Sequence, residues 1–358
     1  MSKPIIFQLP ASKVELVNES KILYSYSQIN AQPLFKYGFH HYINQSKDKL
    51  VLLKNDDLKG KQFYNVIENF DNNITNYDQS INKVSKKYIG DEFSRDKLEL
   101  WETLCIFGFE GNLYVNDESY DDLIKVFYKT TKLKYKAVDD YKKVDVYINI
   151  NTPEVDIKQE EQAQIPNILE AICEIGEGLN KNGGCVIKLY DTYTEVSIKL
   201  LKLLSEMFEE SYLYKPFMSY GRESTKYFVG LNYKNNFKNS LKIKDILKDT
   251  KTNKLNNIFS NYNIPKDFEF VVKFMNIELG NYGHKMINVL VDYIVKSNYF
   301  GDVYHSSFEN QKKTTQFWIE KFFISNNYKK AKDELKSLIN TGIKENISKM
   351  NETFKLII

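Results

Sequence analysis

From about residue 91 the chain alternates two kinds of apolar spacing. Leu98, Trp101, Leu104 and Cys105 recur at helical intervals, and Asn112-Leu113-Tyr114-Val115 then reads as a short buried strand. Ser119 and Asp122 have capping-box spacing ahead of Leu123, Ile124, Phe127 and Tyr128, which predicts a strand-turn-helix unit. Val144–Ile148 is the next strand. A helix is expected over about 165–179, with Pro166 in its first turn and Gly178 or Gly183 as its stop; Ile168, Leu169, Ile172, Cys173 and Leu179 share one face. Cys185–Leu189 follows as an apolar strand, and Val196, Leu200, Leu203, Leu204 and Met207 form a helical stripe. Tyr212–Tyr214 and Tyr227–Leu231 close the series as strands. The alternation predicts an α/β domain over 91–235, its mainly parallel sheet covered on both faces.

The flanks read differently. Residues 1–90 mix short apolar stretches with polar turns, as in an N-terminal extension; Phe35 to Ile43 looks strand-like and Asp71–Asn76 loop-like. Beyond 236 the strand signal fades. Lysine-rich amphipathic patterns predict a helical C-terminal region over 236–358, with Leu335, Leu338, Ile339, Ile343 and Ile347 on one stripe and Lys329, Lys330, Lys332 and Lys336 on a solvated face.

Composition narrows the chemistry. A 42% hydrophobic chain with 27% charged residues can bury a core, and no apolar run approaches the ~18 residues of a spanning helix. The formal charge of +3 excludes an argument for nucleic-acid binding from net charge alone, so any RNA contact must be local. Cys105, Cys173 and Cys185 form no CxxC pair and suit a reducing compartment. His40, His41, His284 and His305 form no HxxxH pair, so no metal site is expected. There is no GxxxxGK[ST], and Gly176-Glu177-Gly178 ends a helix pattern instead of following a strand.

Gly183-Gly184-Cys185-Val186-Ile187-Lys188-Leu189, then Tyr212-Leu213-Tyr214-Lys215-Pro216, then Ser224-Thr225-Lys226-Tyr227-Phe228-Val229 stand in an order and spacing that resembles FtsJ-type RNA 2′-O-ribose methyltransferases, in particular the FtsJ-like proteins of large nucleocytoplasmic DNA viruses. Gly38–Tyr42, Ser94-Arg95 with Trp101-Glu102, and Gln311–Trp318 look like the same group. The resemblance implies a Rossmann-like sheet that binds S-adenosylmethionine and a Lys-Asp-Lys-Glu tetrad that orients and activates a ribose hydroxyl.

Lys188 matches the second lysine of that tetrad. Glu99 stands at the place of the first, Thr225 at that of the glutamate with Glu223 two positions away, and the strand that should end in the aspartate runs on through Asn149-Ile150-Asn151. The turn implied for the cofactor, rich in glycine in the family, is Asn116-Asp117-Glu118-Ser119, and the stretch from Asn116 to Asp145 leaves little chain for the two strands that usually frame the adenosine. Lys188 is then either a working lysine or a relic paired with Asp191 or Glu223. His40 and His41 are read as packing residues, and the strand tyrosines as core in preference to base-stacking platforms.

The resemblance and its departures together imply a catalytically degenerate methyltransferase-fold protein. It would serve as a binding or stimulatory subunit in viral mRNA capping or transcript processing, partnered by a capping enzyme or polymerase subunit, with RNA as a further ligand and no membrane. No cofactor is expected on that reading. The alternative is an active cap-specific 2′-O-methyltransferase using S-adenosylmethionine. The expected compartment is the cytoplasm, including a viral factory or the virion.

Overall fold

A computed structural model describes residues 5–11, 16–18, 21–34, 37–55, 86, 94–153, 155, 158–237, 239–250, 252–296, 301–323 and 328–357. The stretch Asp71–Asn76, together with Phe35 and Lys36, lies outside them.

Five strands run in one direction: β3 (Gly111–Val115), β4 (Tyr135–Ala137), β5 (Val144–Asn149), β6 (Leu179–Leu189) and β7 (Phe208–Lys215). Two oppose them, β8 (Lys226–Tyr233) between β6 and β7, and β1 (Ile5–Gln8) at the β7 edge, giving the order β1-β7-β8-β6-β5-β3-β4. The sheet is thus mainly parallel, as the alternating pattern predicts. A two-stranded ribbon of β2 (Tyr24–Ser27) and β9 (Lys254–Ile258) stands apart, so the C-terminal region contains one strand besides its helices.

Helices cover both faces. On one lie α4 (Glu160–Gly178), α5 (Glu195–Glu206), α6 (Ser240–Asp249) and α7 (Lys266–Val295), packed on Tyr147, Cys185, Ile187 and Leu189. On the other lie α2 (Arg95–Phe107), α3 (Asp121–Thr131), α8 (Asp302–Phe322) and α9 (Tyr328–Ile357), packed on Val146, Ile148, Val186, Tyr214 and Tyr227. Odd and even residues of each strand therefore serve opposite cores, the period-two rule of a pleated sheet.

Several local expectations are corrected. The run through Ile43 is not a strand: α1 (Tyr37–Asn55) buries Ile43, Ser46, Lys47 and Leu50 along one helical stripe. Helix α4 begins at Glu160, five residues before the expected start, so Pro166 sits in its second turn. Ser119 caps nothing: Asp117 instead accepts from the Ser119 N–H at 2.9 Å and closes a single 3-10 turn, and α3 starts at Asp121.

The glycine pair before Cys185 has a packing cause. A Cβ on Gly184 would fall 2.4 Å from the Phe109 ring, and one on Gly183 would meet the Asp145 carbonyl at 2.7 Å.

Candidate functional site

In an open sheet of this kind, ligands approach the C-terminal ends of the parallel strands, at the point where the strand order reverses. Here that point is the crevice between β3 and β5. Asn116, directly after β3, fills its mouth. Its side-chain carbonyl accepts from the Ile150 N–H at 2.9 Å and its amide donates to Asn151 Oδ1 at 2.6 Å. A polar cavity of about 400 Å³ opens just beyond, between Asp96, Asp117, Tyr120 and Thr152.

Lys188 stands one strand further along, at the end of β6, with its side chain almost wholly buried. Its amine donates to Asp96 Oδ1 at 2.9 Å, not to Asp191 or Glu223. Asp96 belongs to the first turn of α2, which Ser94 caps by accepting from the Lys97 N–H at 3.3 Å; a carboxylate is favoured there by the helix dipole. Glu99, one turn on, is fully buried and accepts from Tyr227 Oη at 2.9 Å. Burial raises the Glu99 carboxyl to about 7 against the pull of Lys188. Burial alone would lower the Lys188 amine, but Glu99 and Asp96 more than reverse this and hold it above its ordinary value.

The structure thus brings Lys188 and Glu99 together and adds Asp96, which the sequence reading passed over. It separates Asn149. β5 pairs Asn149 with Ile187 and Ile148 with Val186, so Asn149 projects to the face opposite Lys188, where its amide donates to Tyr147 Oη at 3.2 Å. Ile150, one residue on, has the parity of Lys188 and lines the polar cavity. The site that should carry an aspartate is therefore occupied by an apolar side chain. Thr225 is buried and turns its hydroxyl toward Glu223 at 3.5 Å.

Lys215, of the Lys-Pro pair after β7, explains the loop that leads to Thr225. Its amine donates to Ser219 Oγ at 3.1 Å and to the carbonyls of Tyr220, Glu223 and Thr225 at 3.0, 2.8 and 3.2 Å, so residues 216–225 wrap one ammonium group. The same loop presents the Tyr220 ring to two guanidiniums, Arg95 at 3.4 Å and Arg222 at 3.9 Å.

Asp191 has its own partner. Lys47, from α1, reaches it at 2.5 Å with both side chains buried. Despite burial, Lys47 holds the Asp191 carboxyl below its usual range. Lys226 donates to the Tyr190 carbonyl, and burial lowers its amine to about 8. No signal in the sequence joins residue 47 to residue 191; only the packing of α1 does.

Strand order, the lysine at the end of β6 and the helices on both faces define a Rossmann-like methyltransferase fold. Residues 59–233 match the model of the FtsJ-like methyltransferase family. Over nearly its whole length the chain is also similar to a protein of Acanthamoeba polyphaga mimivirus designated Uncharacterized protein R383, at 26% identity over 365 residues covering 98% of this chain and 99% of that protein.

The family normally uses S-adenosylmethionine. The residues present do not form its cradle: the Asn116 amide bridges the crevice, no glycine lets the backbone approach, and the chain that links β3 to β5 forms one strand, the edge strand β4, only three residues long. No cluster among the described residues could hold a metal ion, and no described helix is long and apolar enough to cross a membrane.

Proposed function

We propose that the chain is a methyltransferase-fold protein without methyl-transfer activity that works as a binding or stimulatory subunit in viral mRNA capping or transcript processing. The observation that carries this reading is the state of Lys188. A lysine that activates a hydroxyl must bring net positive potential to it. Here the amine is engaged by Asp96 at 2.9 Å, and Glu99 takes the place of the further lysine that the resemblance implies, so the local charge is neutral or negative. Ile150 in place of a carboxylate and the closed Asn116 crevice point the same way. A fold that keeps its sheet, helices and aromatic core while losing its chemical groups is expected when the selected property is a surface.

Titration of the purified protein with S-adenosylmethionine by calorimetry tests it. No saturable binding is expected, and capped RNA should gain no 2′-O-methyl group; saturable micromolar binding overturns the proposal. Partnership is tested by co-purification from the native setting across a salt series with nuclease. A protein interface of about 1,200–2,000 Å² should survive moderate salt, whereas an RNA-bridged one should weaken steeply.

The polar cavity beside Asp96 favours the second reading, an active cap-specific 2′-O-methyltransferase with a remodelled pocket. Methyl incorporation that disappears in Lys188→Ala would establish it.

A further inference from the structure

Helix α1 lies across α7 and reaches the strand ends through Lys47. Gly280 of α7 permits the close approach, since a Cβ there would meet Ile43 Cδ1 at 3.0 Å and Phe39 Cζ at 3.1 Å. Asp48 pairs with Lys158, ahead of α4, and the His40 ring meets Tyr193 edge-on at 5.7 Å.

The hydrogen bonds at His284 of α7 have one consistent direction. Lys49 has only donors, so the Asn288 oxygen it meets at 3.0 Å must accept. The Asn288 amide hydrogens then face His284 Nε2 at 2.7 Å, which fixes that nitrogen as an acceptor. The proton therefore sits on Nδ1, which donates to Ser46 Oγ, and the Ser46 hydroxyl donates to the Tyr42 carbonyl at 3.2 Å. The Tyr42 ring lies over the same imidazole, tilted by 31° with ring centroids 3.8 Å apart. The bond from the Asn288 amide to Nε2 requires His284 to be neutral.

Protonation at Nε2 would set two donors against each other. Turning the Asn288 amide to accept from the imidazolium would present its NH2 to the Lys49 ammonium instead. Lys49 is the charged side chain of α1 that faces His284. On the other side the loop carrying Arg222 passes α7 at Gly283, and Lys285 of α7 is exposed. Burial and Lys49 both lower the His284 pKa, in keeping with this geometry. The Lys47–Asp191 pair does not titrate in the same range, because Asp191 is held ionised.

We infer that α1 is a proton-loosened strap: a neutral His284 fastens it over α7 and the Asp191 end of the strand-end site, and protonation of His284 in acidic solution releases it. The inference is independent of whether the domain transfers methyl groups.

Hydrogen–deuterium exchange of the full chain at pH 7.5 and pH 5.5, corrected for intrinsic rates, tests it. Peptides of α1 should exchange about fivefold or more faster at the lower pH, while those of β6 and α4 keep their protection. Asn288→Asp should keep α1 protected at pH 5.5, because a carboxylate accepts from Lys49 and from protonated His284 at once. His284→Gln should remove the difference between the two pH values. Equal α1 exchange at both pH values in the natural protein overturns the inference. So does acid loosening that persists in both Asn288→Asp and His284→Gln, or that is abolished only by His40→Gln. If His284→Gln loosens α1 at every pH, Asn288→Asp alone decides.

Discussion

Two glutamates one turn apart on α2 face two tyrosines paired across β7 and β8. Glu99 meets Tyr227 and Glu102 meets Tyr214, and the register sets Tyr214 opposite Tyr227. The helical i,i+3 step and the cross-strand spacing are both about 5 Å, which lets one helix address two strands in step. Their surroundings then diverge. Glu102 accepts from Tyr214 Oη, from Trp318 Nε1 at 2.8 Å and from the Phe217 and Met218 N–H groups at 2.8 and 3.3 Å. Glu99 has the Tyr227 hydroxyl and the neighbouring charge of Lys188. Burial raises both carboxyls to about 7, yet one is a junction of α2, α8 and the β7–β8 loop and the other faces the candidate site. A raised carboxyl is therefore no mark of chemistry by itself; its donors tell the two apart.

The largest effect expected from breaking this comparison is at the junction. Glu102→Ala orphans four donors, among them Tyr214 Oη and Trp318 Nε1, in a dry interior. It should lower the unfolding free energy by about 3–5 kcal/mol in denaturant melts, with α8 loosened first. A loss below about 1 kcal/mol would mean that the donors find other partners.

Next comes pH. Between about pH 4.5 and 7 the unfolded chain has released protons that native Glu99 and Glu102 still hold, so stability from these groups is fully present below about pH 4.5 and is lost as pH rises through their folded values. A decline of about 1–3 kcal/mol from pH 5 to pH 8 is expected, flattened in Glu102→Gln and in Glu99→Gln. A rise in stability over this range would contradict both assignments.

Much of this architecture is legible in the chain, and the exceptions have physical causes. Apolar alternation placed Lys188 at the end of β6 because a buried strand ends where its polar residues begin. The same alternation failed for Asn149, since which of two adjacent residues shares a face with Lys188 depends on β5–β6 register. The aromatic run before Ile43 fits a strand locally; burial of Ile43, Lys47 and Leu50 on one helical face decides for helix. Asp96 and Lys47 look like ordinary surface charges in sequence, and Glu102 stands out there only as the neighbour of Trp101 in the resemblance. Each acquires meaning from a partner 92 to 144 residues away or more, which spacing cannot reveal.

A smaller effect separates site from junction. Lys188→Met removes the cation beside Glu99, but Asp96 is about half-exposed and Glu99 can take up a proton, so the loss should be about 1–2 kcal/mol at neutral pH and less at pH 5.5. A cost as large as that of Glu102→Ala would make Lys188 a structural residue first.

The smallest and sharpest test is a matched pair, Tyr214→Phe and Tyr227→Phe, each deleting one hydroxyl. Tyr214→Phe leaves Glu102 with Trp318 and two backbone donors but removes the strongest single group that holds its carboxyl down, so about 1 kcal/mol should be lost and the Glu102 pKa should rise further. Tyr227→Phe removes the hydroxyl that holds Glu99 and leaves Lys188 as the group favouring its ionised form, so a similar loss should come with a higher Glu99 pKa. Stability measured at several pH values should therefore fall more steeply in Tyr214→Phe than in Tyr227→Phe, because Glu99 keeps Lys188, the stronger of the two groups that favour its ionised form. Equal slopes would show that Glu99 and Glu102 are equivalent buried acids, and the distinction drawn from their donors would fail.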